Sequence, residues 1–234
     1  MKKILSIIST ILFITAFFIN SSYAQFHLKL GPTTGMNFNL HTGSDIESGN
    51  GVGFIIGGQV DMSFTPIIGI VANMQFYDNR SGSSTQESSK QYQDNQGNPV
   101  SSTVENETSA SLAYFMIEPL LKINIPMSGF YFNVGPAVGF NVEGSYENTI
   151  TETLPSPYTF QNGQNTTTST SKGSIKDALV RFALKFGAGY DIWVGSIVIT
   201  PQVNFEYGLT KVQSNVAWRV LTIQALGTVK FPLL

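Results

Sequence analysis

Two-residue alternation, sustained well beyond the length of an ordinary strand, constrains this chain more than any other feature. It is clearest in four segments, 53–64, 130–143, 177–192 and 196–209. In each, one parity carries bulky apolar side chains, as in Phe54, Ile56, Val60, Met62 and Phe64. The other parity carries mostly Gly, Ala and polar residues. The apolar faces total 28 positions without a charge, while the opposing 28 carry seven. Helical spacing cannot separate residues this way; side chains alternating across a strand do. Four more segments, 26–40, 68–79, 112–125 and 218–231, follow the rule less strictly. Eight strands of 12 to 16 residues result. Soluble strands average about 5–6 residues, and crossing a bilayer at a tilt takes about 9–11.

The connections sort by length. Three are short and turn-like, at Thr65-Pro66, Pro126–Gly129 and Val194-Gly195. The alternate ones are longer. Segments 79–109 and 147–174 are rich in Ser, Thr, Asn, Gln and Glu, and they read as polar loops without structure. Links of that length argue against a compact soluble domain. They are ordinary in an outer-membrane barrel, which has short periplasmic turns and long outer loops. The predicted fold is therefore an all-β, eight-stranded, antiparallel up-and-down transmembrane barrel spanning residues 25–234.

The N-terminus supports export. Lys2 and Lys3 precede an apolar run over 4–19, and Ser22-Tyr23-Ala24-Gln25 places small residues before a cut after Ala24. That pattern predicts a cleaved signal peptide over 1–24. The apolar run is short of the roughly 20 residues a spanning helix needs. The chain has no cysteine, which excludes disulfide scaffolds and thiolate chemistry and suits a bacterial envelope. The predicted location is the outer membrane, with its lipid as the first partner. A formal net charge of −2 leaves no basic footprint for nucleic acid.

Volume decides which face is inside. The lumen of eight strands is only wide enough for side chains to fill it. The four clear apolar faces carry ten aromatics, too bulky for that space. Small residues with scattered charges fit a crowded interior. Lys29, Asp61, Glu118, Lys122, Glu143, Asp177, Arg181, Lys185, Asp191, Glu206 and Lys230 then point inward. Near-balance between acids and bases predicts mutual pairing, since an unpaired buried charge is expensive. The competing reading is a narrow polar path, gated by Asp177, Arg181 and Lys185. Asp78 and Arg219 share the outward phase at the outer end. Phe26, Phe38, Phe64, Phe76, Phe130, Tyr190, Tyr207, Trp218 and Phe231 read as interfacial aromatic girdles, although Trp218 carries the inward parity.

Catalytic chemistry finds little support. The histidines are His27 and His41. His41 has Ser44 and Asp45 near it in sequence, but nothing forms a nucleophile elbow or a metal triad. No catalytic, metal or cofactor site is predicted, and the chain reads as non-enzymatic. Asn106-Glu107-Thr108 and Asn165-Thr166-Thr167 match a glycosylation pattern by chance.

The stretch Ile117-Glu118-Pro119-Leu120-Leu121-Lys122 resembles the fourth-strand signature of the PorT-like outer-membrane β-barrel family. The opening Lys29-Leu30-Gly31 to Gly35-Met36-Asn37-Phe38 is similar to that family's first strand. The resemblance implies an eight-stranded integral barrel of the OmpX/OmpA-like kind. It also implies kinship with a branch serving protein secretion across the outer membrane. The expected role is structural or interactive, through the two long outer segments. A narrow porin-like channel and an accessory role in secretion, with other envelope proteins as partners, are the alternatives.

Overall fold

The structure, a computed structural model, describes residues 27–44, 48–94, 96–175, 178–214 and 216–233. The predicted signal segment 1–24, Phe26 and Asp177 lie outside these residues. The described residues form eleven strands: β1 (His27–Gly43), β2 (Gly49–Ser63), β3 (Ile68–Asn79), β4 (Gly82–Gln93), β5 (Pro99–Asn124), β6 (Phe130–Thr153), β7 (Thr166–Ser174), β8 (Arg181–Tyr190), β9 (Ile192–Val194), β10 (Ile197–Gly208) and β11 (Trp218–Pro232).

Eight of them close a ring. Neighbours pair antiparallel in the order β1, β2, β3, β5, β6, β8, β10 and β11, and β11 returns to β1. Closure leaves the ring without a free edge. The turns at 64–67, 125–129 and 195–196 lie at one end, called lower below, and the long strands rise past the other.

Burial alternates with the strand period. Along β8, Arg181, Ala183 and Lys185 are buried, while Phe182, Leu184 and Phe186 are each nearly half exposed. The ring is thus apolar outside and polar inside, the reverse of a soluble core. Phe38, Phe76, Phe130, Tyr190, Tyr207 and Phe231 are exposed on the outer wall, and Phe64 is half-buried near the lower turns.

Glycine keeps two lumen contacts open. A Cβ on Gly189 would lie 2.4 Å from the Tyr131 ring, and one on Gly208 would lie 2.9 Å from the Arg181 guanidinium. Both inward positions are short so that a larger side chain can cross the lumen.

Segments 79–109 and 147–174, expected as unstructured loops, depart from that expectation. Most of each continues the ladder. β4, the upper half of β5, the upper half of β6 and β7 form a four-stranded sheet in that order, standing above the ring. The upper half of β5 adds about 40 Å of chain at about 3.3 Å per residue. Such a sheet is solvated on much of both faces, so it needs no apolar parity to form. Cross-strand pairs hold it instead. Thr149, Thr151 and Thr153 face Thr170, Thr168 and Thr166 with hydroxyls about 3.4–3.5 Å apart. Glu147 faces Lys172 with a 3.0 Å ion pair. Threonine and opposite-charge pairs of this kind favour strand pairing.

Two bulges reset the parity near the upper rim. On β3 the residues Phe76 and Tyr77 oppose one residue of β5. On β6, Val142 is extra between Asn141 and Glu143. A bulge shifts the phase of everything beyond it.

Candidate functional site

The lumen holds two ionic clusters joined by amides. The lower one is built on Asp61 (β2) and Asp191, which follows β8. Lys122 and Lys230 each place Nζ 2.7 Å from Asp61 Oδ2. Both also reach Asp191, at 3.2 and 3.1 Å. Lys29 closes the lower mouth, 3.1 Å from Asp191. The Tyr131 ring sits beneath two of these ammonium groups, 4.2 Å from Lys122 Nζ and 5.4 Å from Lys230 Nζ.

The upper cluster centres on Glu206 (β10). Its carboxylate accepts from Arg80 at 2.9 Å and from Arg181 at 3.0 Å, and Lys185 Nζ lies 3.9 Å away. Arg80 also binds Asp78, and Lys185 pairs with Glu118. Asn37 donates to Asp78, and Thr222 accepts from Arg80. Between the clusters, Gln202 donates to Gln59, Gln59 to Asn73, and Asn73 to Glu118, at 3.1, 2.8 and 2.9 Å. The amides of Gln75, Asn133, Asn204 and Gln224 are buried with no protein partner. This middle layer is the least satisfied part of the lumen.

An apolar layer caps the upper cluster. Leu112, Tyr114, Met116, Val220, Val212 and Trp218 pack together there. Val212 comes from the β10–β11 connection, which folds over the mouth and is pinned by the Val212 amide donating to the Trp218 carbonyl at 2.8 Å.

Lys29, Asp61, Glu118, Lys122, Arg181, Lys185, Asp191, Glu206 and Lys230 all lie in these clusters. Glu143 does not. It was expected inside, but the bulge at Val142 turns it outward, and it is exposed. Asp78 corrects in the other direction. The β3 bulge brings it inside, fully buried. Arg80, two residues on, follows it in and is the largest fully buried side chain among the described residues. Arg80 lies in the 79–109 segment expected to be loop, and its two-residue spacing from Asp78 is the sequence signal for its place inside. Trp218 is not a girdle residue. Its inward parity holds, and its indole Nε1 donates to His41 Nδ1 at 3.0 Å.

That bond settles the state of His41. Nδ1 accepts from the indole, so Nε2 carries the proton and donates to the Ser81 carbonyl at 3.2 Å. Both ring nitrogens are occupied by the protein, which leaves none to act as a base. Among the described residues no group of three His, Asp or Glu side chains is placed to hold a metal ion.

Residues 20–214 match the family described as outer membrane protein beta-barrel domain. No curated protein matches the chain in sequence. Solved structures of similar fold include Ail, the attachment invasion locus protein of Yersinia pestis, in complex with the heparin analogue sucrose octasulfate. It is 10% identical, with 87% of this chain and 99% of that one covered and a TM-score of 0.37. Neisserial surface protein A is also 10% identical, with 88% and 96% covered and a TM-score of 0.32. The N-terminal barrel of Pseudomonas aeruginosa OprF is 12% identical, with 86% and 97% covered and a TM-score of 0.26. With its closed eight-strand ring and a match over most of its length, the chain belongs to the outer membrane protein beta-barrel domain family.

Proposed function

We propose that this chain is a non-enzymatic surface protein whose lumen is a stabilising plug and whose interactions are made by the β4–β7 sheet. In outer-membrane barrels the short turns face the periplasm and the long segments face outward. The sheet then stands outside the cell, and a signal peptide over 1–24 delivers the chain to the membrane. One observation carries the reading: every lumen carboxylate among the described residues is within ion-pair distance of a lumen cation, beneath a packed apolar layer. A conduit needs charges free to meet a passing ion, and these are held by each other. Glu118 and Lys122, the charged residues of the stretch resembling PorT-like proteins, are also used in this pairing. Kinship with a secretion branch therefore rests on the sequence pattern, and partners from the envelope remain part of the proposal.

The test compares the full chain with a variant lacking 84–108, both isolated from gently solubilised membranes. We expect both to show heat-modifiable gel migration, and envelope or surface partners to co-purify with the full chain alone. Partners retained by the deletion variant would move the interaction away from the sheet. Loss of heat-modifiable migration would show that the sheet is needed for the barrel.

A further inference from the structure

We propose that the upper mouth holds a binding site for a neutral sugar ring. The proposal rests on the reading that the upper end faces outward, and it gives that end a ligand class. A cavity of about 480 Å³ lies there, between the β4–β6 sheet and the β10–β11 connection. Small-molecule sites span about 300–1,000 Å³.

Three features define what fits. The floor is the pair His41 and Trp218, with ring centroids 5.5 Å apart and planes tilted by 37°. Their polar atoms are spent on each other and on the Ser81 carbonyl. What they leave to a ligand is a narrow strip of ring, since packing covers most of both: His41 is 4% and Trp218 7% exposed. One wall is a polar ladder. Gln86 stands opposite Asn106 across β4 and β5, and Thr108 is the next residue on the same face. Asn106 Oδ1 is buried there without a hydrogen-bond partner. The far wall is apolar, with Ile175 prominent.

Among the described residues the lining contains no Asp, Glu, Lys or Arg, although the sheet above and the lumen below are both charged. Among the described lining residues a phosphate or sulfate would find no cation, and Arg80 and Arg181 below are committed to carboxylates. A wholly apolar ligand would leave the amides of Gln86 and Asn106 facing hydrocarbon, which costs more than it returns. A sugar ring has an apolar C–H face and a hydroxyl rim. The first matches the aromatic floor, and the second matches the amide and hydroxyl ladder.

The full chain reports on this site through Trp218. Trp193, the other tryptophan, is exposed near the lower end, so a Trp193→Phe variant leaves one emitter on the cavity floor. This protein, refolded in detergent, is titrated with maltose, N-acetylglucosamine and methyl mannoside. Glucose 6-phosphate and p-xylene serve as the charged and apolar comparisons. We expect a saturable change in Trp218 emission with at least one neutral sugar, in the millimolar range. Asn106→Ala should weaken it about three- to tenfold, the worth of one hydrogen bond, with heat-modifiable migration unchanged. No saturable change with any neutral sugar overturns the proposal. So does tighter binding of glucose 6-phosphate or p-xylene, or a response indifferent to Asn106→Ala. Binding in detergent is independent of orientation, so the outward reading is tested separately, by protease cleavage of the β4–β5 hairpin on intact cells.

Discussion

Replacing Glu206 with Gln isolates the electrostatic argument. The upper cluster contains Arg80, Arg181 and Lys185 against Asp78, Glu118 and Glu206. Those charges balance, and the substitution leaves one uncompensated cation while changing almost no volume. Arg80 keeps Asp78, and Lys185 keeps Glu118. Arg181 loses its carboxylate and keeps its bond to the Val220 carbonyl. Glu206 and Arg80 are fully buried and Arg181 nearly so. Breaking a buried pair from one side costs about 3–5 kcal/mol, against a total stability of about 5–15 kcal/mol. At about 1–3 kcal/mol per molar urea, the unfolding midpoint should fall by between about 1 and 5 M. Urea titration in lipid vesicles, followed by tryptophan emission, measures it. Adding Arg181→Gln should recover part of the loss, because the pair is then removed together. A loss below about 1 kcal/mol is the value for a water-screened pair. It would refute the closed lumen, since water would then be doing the work assigned to the partners.

Other perturbations probe separate parts of the account. Phe186→Arg places charge on the outer wall, at a cost of about 2–4 kcal/mol near the bilayer midplane. It should reduce the heat-modifiable fraction, whereas Met127→Arg, in a fully exposed turn, should not. Tyr131→Leu removes the ring beneath Lys122 and Lys230 and should lower stability by about 2 kcal/mol in the same urea assay. At the hairpin tip, the backbone amide of Asn98, then its side-chain amide, and after them the backbone amide of Gln96 donate to the Asp94 carboxylate and hold it below the usual aspartate range. The turn is therefore fully ordered above the ordinary aspartate pKa. It loosens as pH falls through the lowered one, as faster amide exchange at Gln96 and Asn98 will show.

The ring was legible because lipid imposes a strict code. Phe182, Leu184 and Phe186 against Arg181, Ala183 and Lys185 leave one phase possible. The four-stranded upper sheet was not legible, because strands wet on both sides need no alternation. Runs such as Thr166–Ser174 then look like loop. The bulges were the other blind spot. One extra residue at Val142 and one at Phe76-Tyr77 reverse the parity of Glu143 and Asp78, and neither carries a local signature. Arg80 was missed for the same reason, since its place depends on the bulge before it. The pairing of His41 with Trp218 joins residues 177 positions apart, beyond the reach of any local pattern.

The central claim is that the lumen is closed by its own ion pairs and by the apolar layer above them. Single-channel recording of the full chain in planar bilayers tests it most directly. We expect no stable steps of porin size. Regular steps of that size, abolished by Arg181→Ala, would contradict it.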